Sequence, residues 1–270
     1  MLKNVTLGQY IPGESVIHKL DARTKILAIL VYIVILFMVT DFVGYAFLAL
    51  LPIMVIVLTG IDPRTLFGTL RPVLFIIILT VVLHVFMVEG TALFTLGPLT
   101  ATWEGLRQGA FMGLRLILLI LTTSFLTQTT SPIDLTDGLE RLLNPFRAIG
   151  LPAHELAMMM TIALRFIPTL LDEAEKIMKA QMARGADFES GNIFTRAKNM
   201  VPLLVPLFIS AFRRADDLAL AMEARCYRGG ENRTRMKVMK FTSTDAVAAA
   251  VMIGLTAGVL LMRFGPLPGR

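Results

Sequence analysis

The chain has 270 residues, of which 55% are hydrophobic and only 17% charged, with a formal net charge of +6 and a mean hydropathy of +0.70. Soluble domains hold about 45–50% apolar and about 25% charged residues, so this balance excludes a disordered chain and an ordinary soluble enzyme and points to an integral membrane protein. The basic excess does not indicate nucleic acid, because Lys and Arg are interleaved with long apolar runs, as in the cytoplasmic loops of membrane proteins.

In chain order, five apolar segments come near the roughly 20 residues a bilayer core requires. They are Ile26–Thr40, Phe42–Ile61, Pro72–Val88, Gly109–Thr127 and Ala246–Met262. Lys25, at the head of the first, is placed to snorkel to the surface. Only Asp41 separates the first two, which predicts a tight hairpin. Pro72 suits a first helical turn. Arg115 interrupts the fourth segment about 9 Å inside it and is expected to snorkel outward, a role on a substrate path being the less favoured alternative. Gly105, Gly109 and Gly113, and again Gly254 and Gly258, recur every four residues and predict close helix packing. The first apolar run follows a polar stretch with no small-residue cleavage site, so a removable signal is not expected.

Lys3, Lys19, Arg23 and Lys25 precede the first span, Arg64 and Arg71 lie between the second and third, and only Arg107 lies between the third and fourth. That asymmetry predicts a cytoplasmic N-terminus and an outer C-terminal tail, against which the two tail arginines Arg263 and Arg270 count. The stretch from Thr129 to Asp245 then falls inside, with 16 of the 26 basic residues.

This insert is too long for a plain loop. Ser131 and Pro132 predict the start of a short helix bearing Leu135, Leu139, Leu142 and Leu143, which Asn144-Pro145 ends. Leu156, Met159, Ala163, Phe166, Leu170, Ala174 and Ile177 mark a second helix, expected to kink at Pro168 and to close at Ala183-Arg184-Gly185. Leu204, Phe208, Ala211, Ala215, Leu218 and Met222 mark a third, closing at Ala224-Arg225-Cys226. Both long helices begin apolar and finish polar, and their endings align at one constant offset. Arg in a last turn suits the helix dipole, and Gly beyond it is a common cap. Two such endings on twin helices suggest more: a pair of tips, each offering a guanidinium fork to carboxylates of a two-lobed partner.

Catalytic and metal chemistry is missing from the sequence. No Lys is followed by Ser or Thr, so there is no P-loop; no H-E-x-x-H, paired-cysteine or G-x-S-x-G motif occurs. His18, His84 and His154 are isolated in the sequence, and one cysteine, Cys226, permits no internal disulfide. A stand-alone secondary transporter would need ionisable groups at mid-membrane, of which the second, third and fifth spans offer almost none; a structural scaffold without transport coupling is the other alternative.

Several segments together resemble the CbiQ/EcfT family, the transmembrane coupling subunits of energy-coupling factor transporters. They are Ile11-Pro12-Gly13-Glu14-Ser15 with His18-Lys19-Leu20-Asp21-Ala22-Arg23-Thr24-Lys25, Leu164-Arg165-Phe166-Ile167-Pro168-Thr169-Leu170, and Ala221-Met222-Glu223-Ala224-Arg225-Cys226-Tyr227-Arg228-Gly229-Gly230. The resemblance implies an all-α integral membrane protein with about five transmembrane helices plus a cytoplasmic insert of one short and two long amphipathic coupling helices. The corresponding division is 1–128 (four transmembrane helices), 129–244 (coupling helices) and 245–270 (the last transmembrane helix). It implies a non-catalytic subunit of the cell membrane that joins two ABC-type ATPases to a membrane substrate-binding subunit for vitamin or metal uptake. ATP and Mg would bind to the ATPases and no cofactor to this chain. Ala183, Arg184 and Gly185, and Ala224, Arg225 and Cys226, would dock on the two ATPases. Cys226 departs from the Gly of the first site. Arg165 carries no assigned role.

Overall fold

A computed structural model describes residues 10–96, 99–188, 190–229 and 239–264. Lys3, Gly230 and the tail with Arg270 lie outside the described residues. In chain order the elements are α1 (Val16–Lys19), α2 (Ala22–Met38), α3 (Phe42–Thr59), α4 (Pro63–Met87), β1 (Ala92–Leu96), β2 (Leu99–Thr102), α5 (Trp103–Thr129), α6 (Pro132–Leu143), a 3-10 helix (Asn144–Ile149), α7 (Ala153–Ala183), α8 (Ile193–Ala224) and α9 (Ser243–Phe264). The chain divides into two compact units, one within residues 8–138 and 238–270 and the other within 139–237.

Among the described residues five helices are long and apolar enough to cross a membrane: Phe42–Thr59, Arg64–Met87, Trp103–Thr129, Ala153–Ala183 and Ser243–Arg263. The protein is therefore an all-α multi-pass membrane protein. The set differs from expectation at two places. The first predicted span is the 17-residue helix α2, about 25 Å long and short of the roughly 30 Å core. In its place stands α7, whose most apolar 18-residue stretch has a mean hydropathy of 1.2, the lowest of the five, because His154, Glu155 and Arg165 interrupt its otherwise apolar first half. Pro72 lies inside α4, which starts nine residues earlier at Pro63, where Asp62 caps it by accepting from the Arg64 N–H at 2.9 Å.

The first unit is built around Tyr32, Ile35, Leu36, Tyr45, Leu48, Leu118, Met252, Leu255 and Val259 from α2, α3, α5 and α9. The buried phenol of Tyr32 donates to the Leu48 carbonyl at 3.2 Å. Helices α4 and α5 pack most closely, and glycine is the cause. A Cβ on Gly105 would stand 2.4 Å from the His84 carbonyl oxygen, and one on Gly109 3.0 Å from that of Val81. Gly258 abuts the Phe47 ring, whereas Gly254 faces open space and is no packing site. The short hairpin β1–β2, antiparallel with Ala92 opposite Thr102, joins α4 to α5; it was not expected from the sequence. Thr102 caps α5 by accepting from Gly105 N–H, and its hydroxyl donates to the Val88 carbonyl at 2.6 Å.

The N-terminal segment is tied down by polar groups. His18 accepts from the Ser15 hydroxyl at 2.7 Å through Nδ1 and donates to the Ile11 carbonyl at 3.1 Å through Nε2, while a Cβ on Gly13 would meet the imidazole at 2.7 Å. Lys25 does not snorkel: it is buried, and its ammonium donates to the carbonyls of His18 (3.3 Å) and Thr129 (2.8 Å) and to the Thr130 hydroxyl (3.2 Å). Asp21 accepts from Arg23, and its own N–H donates to Asp245 at 2.9 Å, so that α2 is pinned to the start of α9. Burial pushes the Asp21 carboxyl up, but the Arg23 hydrogen bonds and charge outweigh it and hold the group below its ordinary range.

Arg115 does not snorkel either. It lies 12 residues past the start of α5, and its guanidinium donates to the Tyr45 hydroxyl at 2.9 Å and the Val39 carbonyl at 3.3 Å.

In the second unit α7 and α8 run through Pro168 and through Pro202 and Pro206 respectively. Their apolar first halves are largely exposed: Met159 is 55% and Phe208 62% accessible. On α8 the inward positions include Leu203, Leu207, Ser210, Ala211, Arg214, Leu218 and Met222, so the predicted stripe holds at Ala211, Leu218 and Met222 and fails at Leu204, Phe208 and Ala215, which are exposed. A helix apolar on most sides in its first half carries more than one candidate stripe, and only contact with α7 selects between them.

Two expectations follow. Gly109→Val should destabilise the protein by about 1–3 kcal/mol through overpacking at α4, while Gly254→Val should leave it unchanged, as read by thermal unfolding in mild detergent. Burial lowers the His18 pKa from its ordinary 6.5, opposed by the Ile11 hydrogen bond and assisted by the Lys25 charge. The folded state therefore favours neutral imidazole, and its contribution is complete above pH 6.5 and lost as pH falls through the depressed value. The thermal midpoint should drop below pH 6.5, and His18→Gln should flatten that part of the profile.

Candidate functional site

The two predicted tips form the same local structure. At the end of α7, Gly185 adopts φ +88°; its N–H donates to the Met182 carbonyl, and the Ala186 N–H reaches back to Gln181, both at 3.0 Å. At the end of α8, Cys226 adopts φ +56°; its N–H donates to Glu223 at 2.8 Å and the Tyr227 N–H to Met222 at 3.0 Å. Both are Schellman endings, in which a left-handed residue closes the helix and satisfies its last carbonyls. Among the described residues Cys226 is the one non-glycine with positive φ. The mismatch between Gly185 and Cys226 in the sequence therefore conceals a shared backbone shape. Ala183, Arg184, Gly185, Ala224, Arg225 and Cys226 are all exposed.

The helices have nearly the same length, 31 and 32 residues. They meet where Glu173 accepts from the Ser210 hydroxyl at 2.6 Å and pairs with Arg214. Glu173 and Arg214 are 41 residues apart, the same offset that separates Arg184 from Arg225. The contact thus joins equivalent positions of the two helices. Each tip lies 11 residues beyond it, about 16 Å at 1.5 Å per residue. The pair costs something, because the buried Arg214 Nε lacks an acceptor among the described residues.

The helices are antiparallel, and each tip is held near the start of the other helix. Asn199 of α8 donates to the Asp187 carbonyl just past the first tip at 2.7 Å. Tyr227, just past the second, donates to Met158 Sδ of α7 at 3.0 Å and meets His154 Nε2 at 3.3 Å. His154 Nδ1 in turn lies 2.9 Å from Glu140. Arg184 and Arg225 consequently sit at opposite ends of the pair and not side by side, at most about 33 Å apart along a straight axis. Sequence reasoning found both tips; it missed Glu173, Arg214, Ser210, His154 and Tyr227. The 41-residue offset carried the signal for the central pair, since it matches Glu173 to an oppositely charged residue. Arg165 is exposed on α7.

Cys226→Gly should stabilise the second tip by about 1 kcal/mol, the cost of a left-handed side-chain-bearing residue, and Gly185→Ala should weaken the first by a similar amount. Amide exchange in the last turn of each helix measures both.

A family profile described as CbiQ, cobalt transport protein, matches residues 13–236. The chain is 62% identical over 264 residues to the energy-coupling factor transporter transmembrane protein EcfT of Thermosediminibacter oceani, covering 97% of this chain and 99% of the relative. It is 55% identical to the protein of that name from Clostridium kluyveri over 97% of this chain and 98% of the relative, and 47% identical to that of Bacillus subtilis over 97% and 100%. The profile spans helices α1 to α8 and both arginine tips, and the relatives extend the match over α9, so the chain belongs to the CbiQ/EcfT family.

Proposed function

We propose that this chain is the transmembrane coupling subunit of an energy-coupling factor importer, with its N-terminus in the cytoplasm. Its two arginine tips dock on two ABC-type ATPases, and the ATPases hold the ATP and Mg. A separate membrane subunit binds the vitamin or metal cargo. The observation that carries this reading is the pair of identical Schellman endings, Ala183-Arg184-Gly185 and Ala224-Arg225-Cys226, at opposite ends of two helices that meet at equivalent residues. Two copies of one shape on equal arms suit two similar partners.

The chemistry of docking follows from the tip geometry. The left-handed residue turns the backbone away and leaves the preceding arginine at the extremity. Small neighbours, Ala183 and Gly185 or Ala224 and Cys226, leave the fork open to carboxylates. When the ATPases close on ATP, the tips move with them and the α7–α8 pair turns about its contact. The apolar first halves then shift against the substrate-binding subunit, which reorients and releases its cargo inside.

Affinity purification of the tagged chain from its native membrane should recover two ABC ATPases and at least one small hydrophobic protein. Arg184→Ala with Arg225→Ala should lower ATPase recovery by at least about tenfold, as loss of desolvated charged anchors does, and leave the hydrophobic partner bound. ATPase recovery and uptake unchanged in the double variant would remove the tips from the mechanism.

A further inference from the structure

At the end of the membrane unit where α2 turns into α3, positive charge accumulates that the proposed coupling role does not use. Arg115 from α5 donates to the Val39 carbonyl, and Arg263 from α9 donates to the adjacent Met38 carbonyl at 2.8 Å. Arg107, two turns before Arg115 on α5, lies 5.7 Å from the Phe111 ring centre. Phe111 stacks on Phe42 at 4.0 Å and lies 5.6 Å from Tyr45, which Arg115 also covers. Asp41 at the turn leaves this cluster of three arginines with a net charge of +2.

Arg115 is satisfied by neutral groups only. Its Nε donates to the Tyr45 hydroxyl, one Nη1 N–H points at Met112 Sδ at 3.8 Å, and one Nη2 N–H takes Val39. Neither Arg115 nor Arg107 meets a carboxylate among the described residues, and one N–H on each Nη of Arg115 remains open. An unneutralised guanidinium inside a bilayer is expensive. Its level explains how it persists. Helix α3 runs charge-free for 18 residues from Phe42, so the Val39–Asp41 turn marks one edge of the hydrocarbon core. Arg115 touches that turn, and so stands at the end of the charge-free run of α3 although it lies far along α5.

Below it, on α2, Leu30, Val34 and Phe37 form a stripe at spacings of four and three, 54%, 60% and 58% exposed, and Phe37 lies 5.2 Å from the Arg115 guanidinium. A fork with two open donors above an apolar stripe matches one ligand shape: a phosphodiester joined to an acyl chain.

We propose that Arg115, supported by Arg107, is a phospholipid-binding site. The two open N–H groups take the phosphodiester, and an acyl chain lies along Phe37, Val34 and Leu30. The test is native mass spectrometry of the full chain in mild detergent with phosphatidylglycerol, diacylglycerol or inorganic phosphate added. The wild-type chain should retain phosphatidylglycerol and not diacylglycerol, and millimolar phosphate should not displace it. Arg115→Gln should weaken retention by about tenfold, and Arg107→Gln, which breaks no hydrogen bond, by about threefold; Arg71→Gln on α4 serves as the unaffected control. Should Arg115→Gln not remain monodisperse, Arg107→Gln decides alone. Equal retention by the wild-type chain and the arginine variants, equal binding of diacylglycerol, or displacement by inorganic phosphate overturns the proposal.

Discussion

The register of the α7–α8 pair is fixed at its centre by the Glu173 carboxylate held by Arg214 and Ser210, and at its ends by Asn199 on Asp187 and Tyr227 on Met158. Both helices are apolar over their first halves and exposed there, so no continuous hydrophobic seam fixes their register. A hydrophobic interface tolerates sliding by a turn; a charged, hydrogen-bonded group with a single acceptor set does not. The register it imposes joins equivalent positions, and everything beyond it, from the arm lengths to the opposed tips, follows from helix rise alone.

The first unit solves a different problem. A polar group taken out of water is costly unless it finds an internal partner. The N-terminal segment does so through Lys25, Asp21 and Asp245, which consume backbone donors and acceptors from α1, α2, α5 and the start of α9. The α4–α5 contact instead removes side chains altogether, so that glycine positions lie against carbonyls of the facing helix. One device adds polar atoms where none could go unpaired, and the other removes bulk so that backbones can touch.

Much of this was legible in the sequence. Apolar runs located α3, α4, α5 and α9, Ser131-Pro132 located the start of α6, and the paired Ala-Arg segments located both tips. Three of the misses share a cause: for Lys25, Arg115 and the face of α8 the outcome depended on atoms distant in the chain. Lys25 and Arg115 read as snorkelling cations because a one-dimensional pattern cannot show that Thr129 and Thr130, or Tyr45 and Val39, wait beside them. Hairpin β1–β2 is too short for an alternation signal. The inward face of α8 was ambiguous because Leu203, Leu204, Leu207 and Phe208 are all apolar, and only Glu173 and its partners choose among them. Cys226 read as a loose match to Gly185 because the left-handed backbone the two share is not visible in residue type.

The equal arms have a mechanical consequence. Equal and opposite displacements of Arg184 and Arg225 leave the Glu173–Arg214 contact, midway between them, where it was. The α7–α8 pair would answer such a motion by turning about that contact, without carrying it in either direction. With arms of unequal length, the same motion of the two ends would add a translation, and every apolar side chain on the first halves would have to change its lipid or protein neighbours to follow it. Matching the two helices residue for residue keeps the work in rotation.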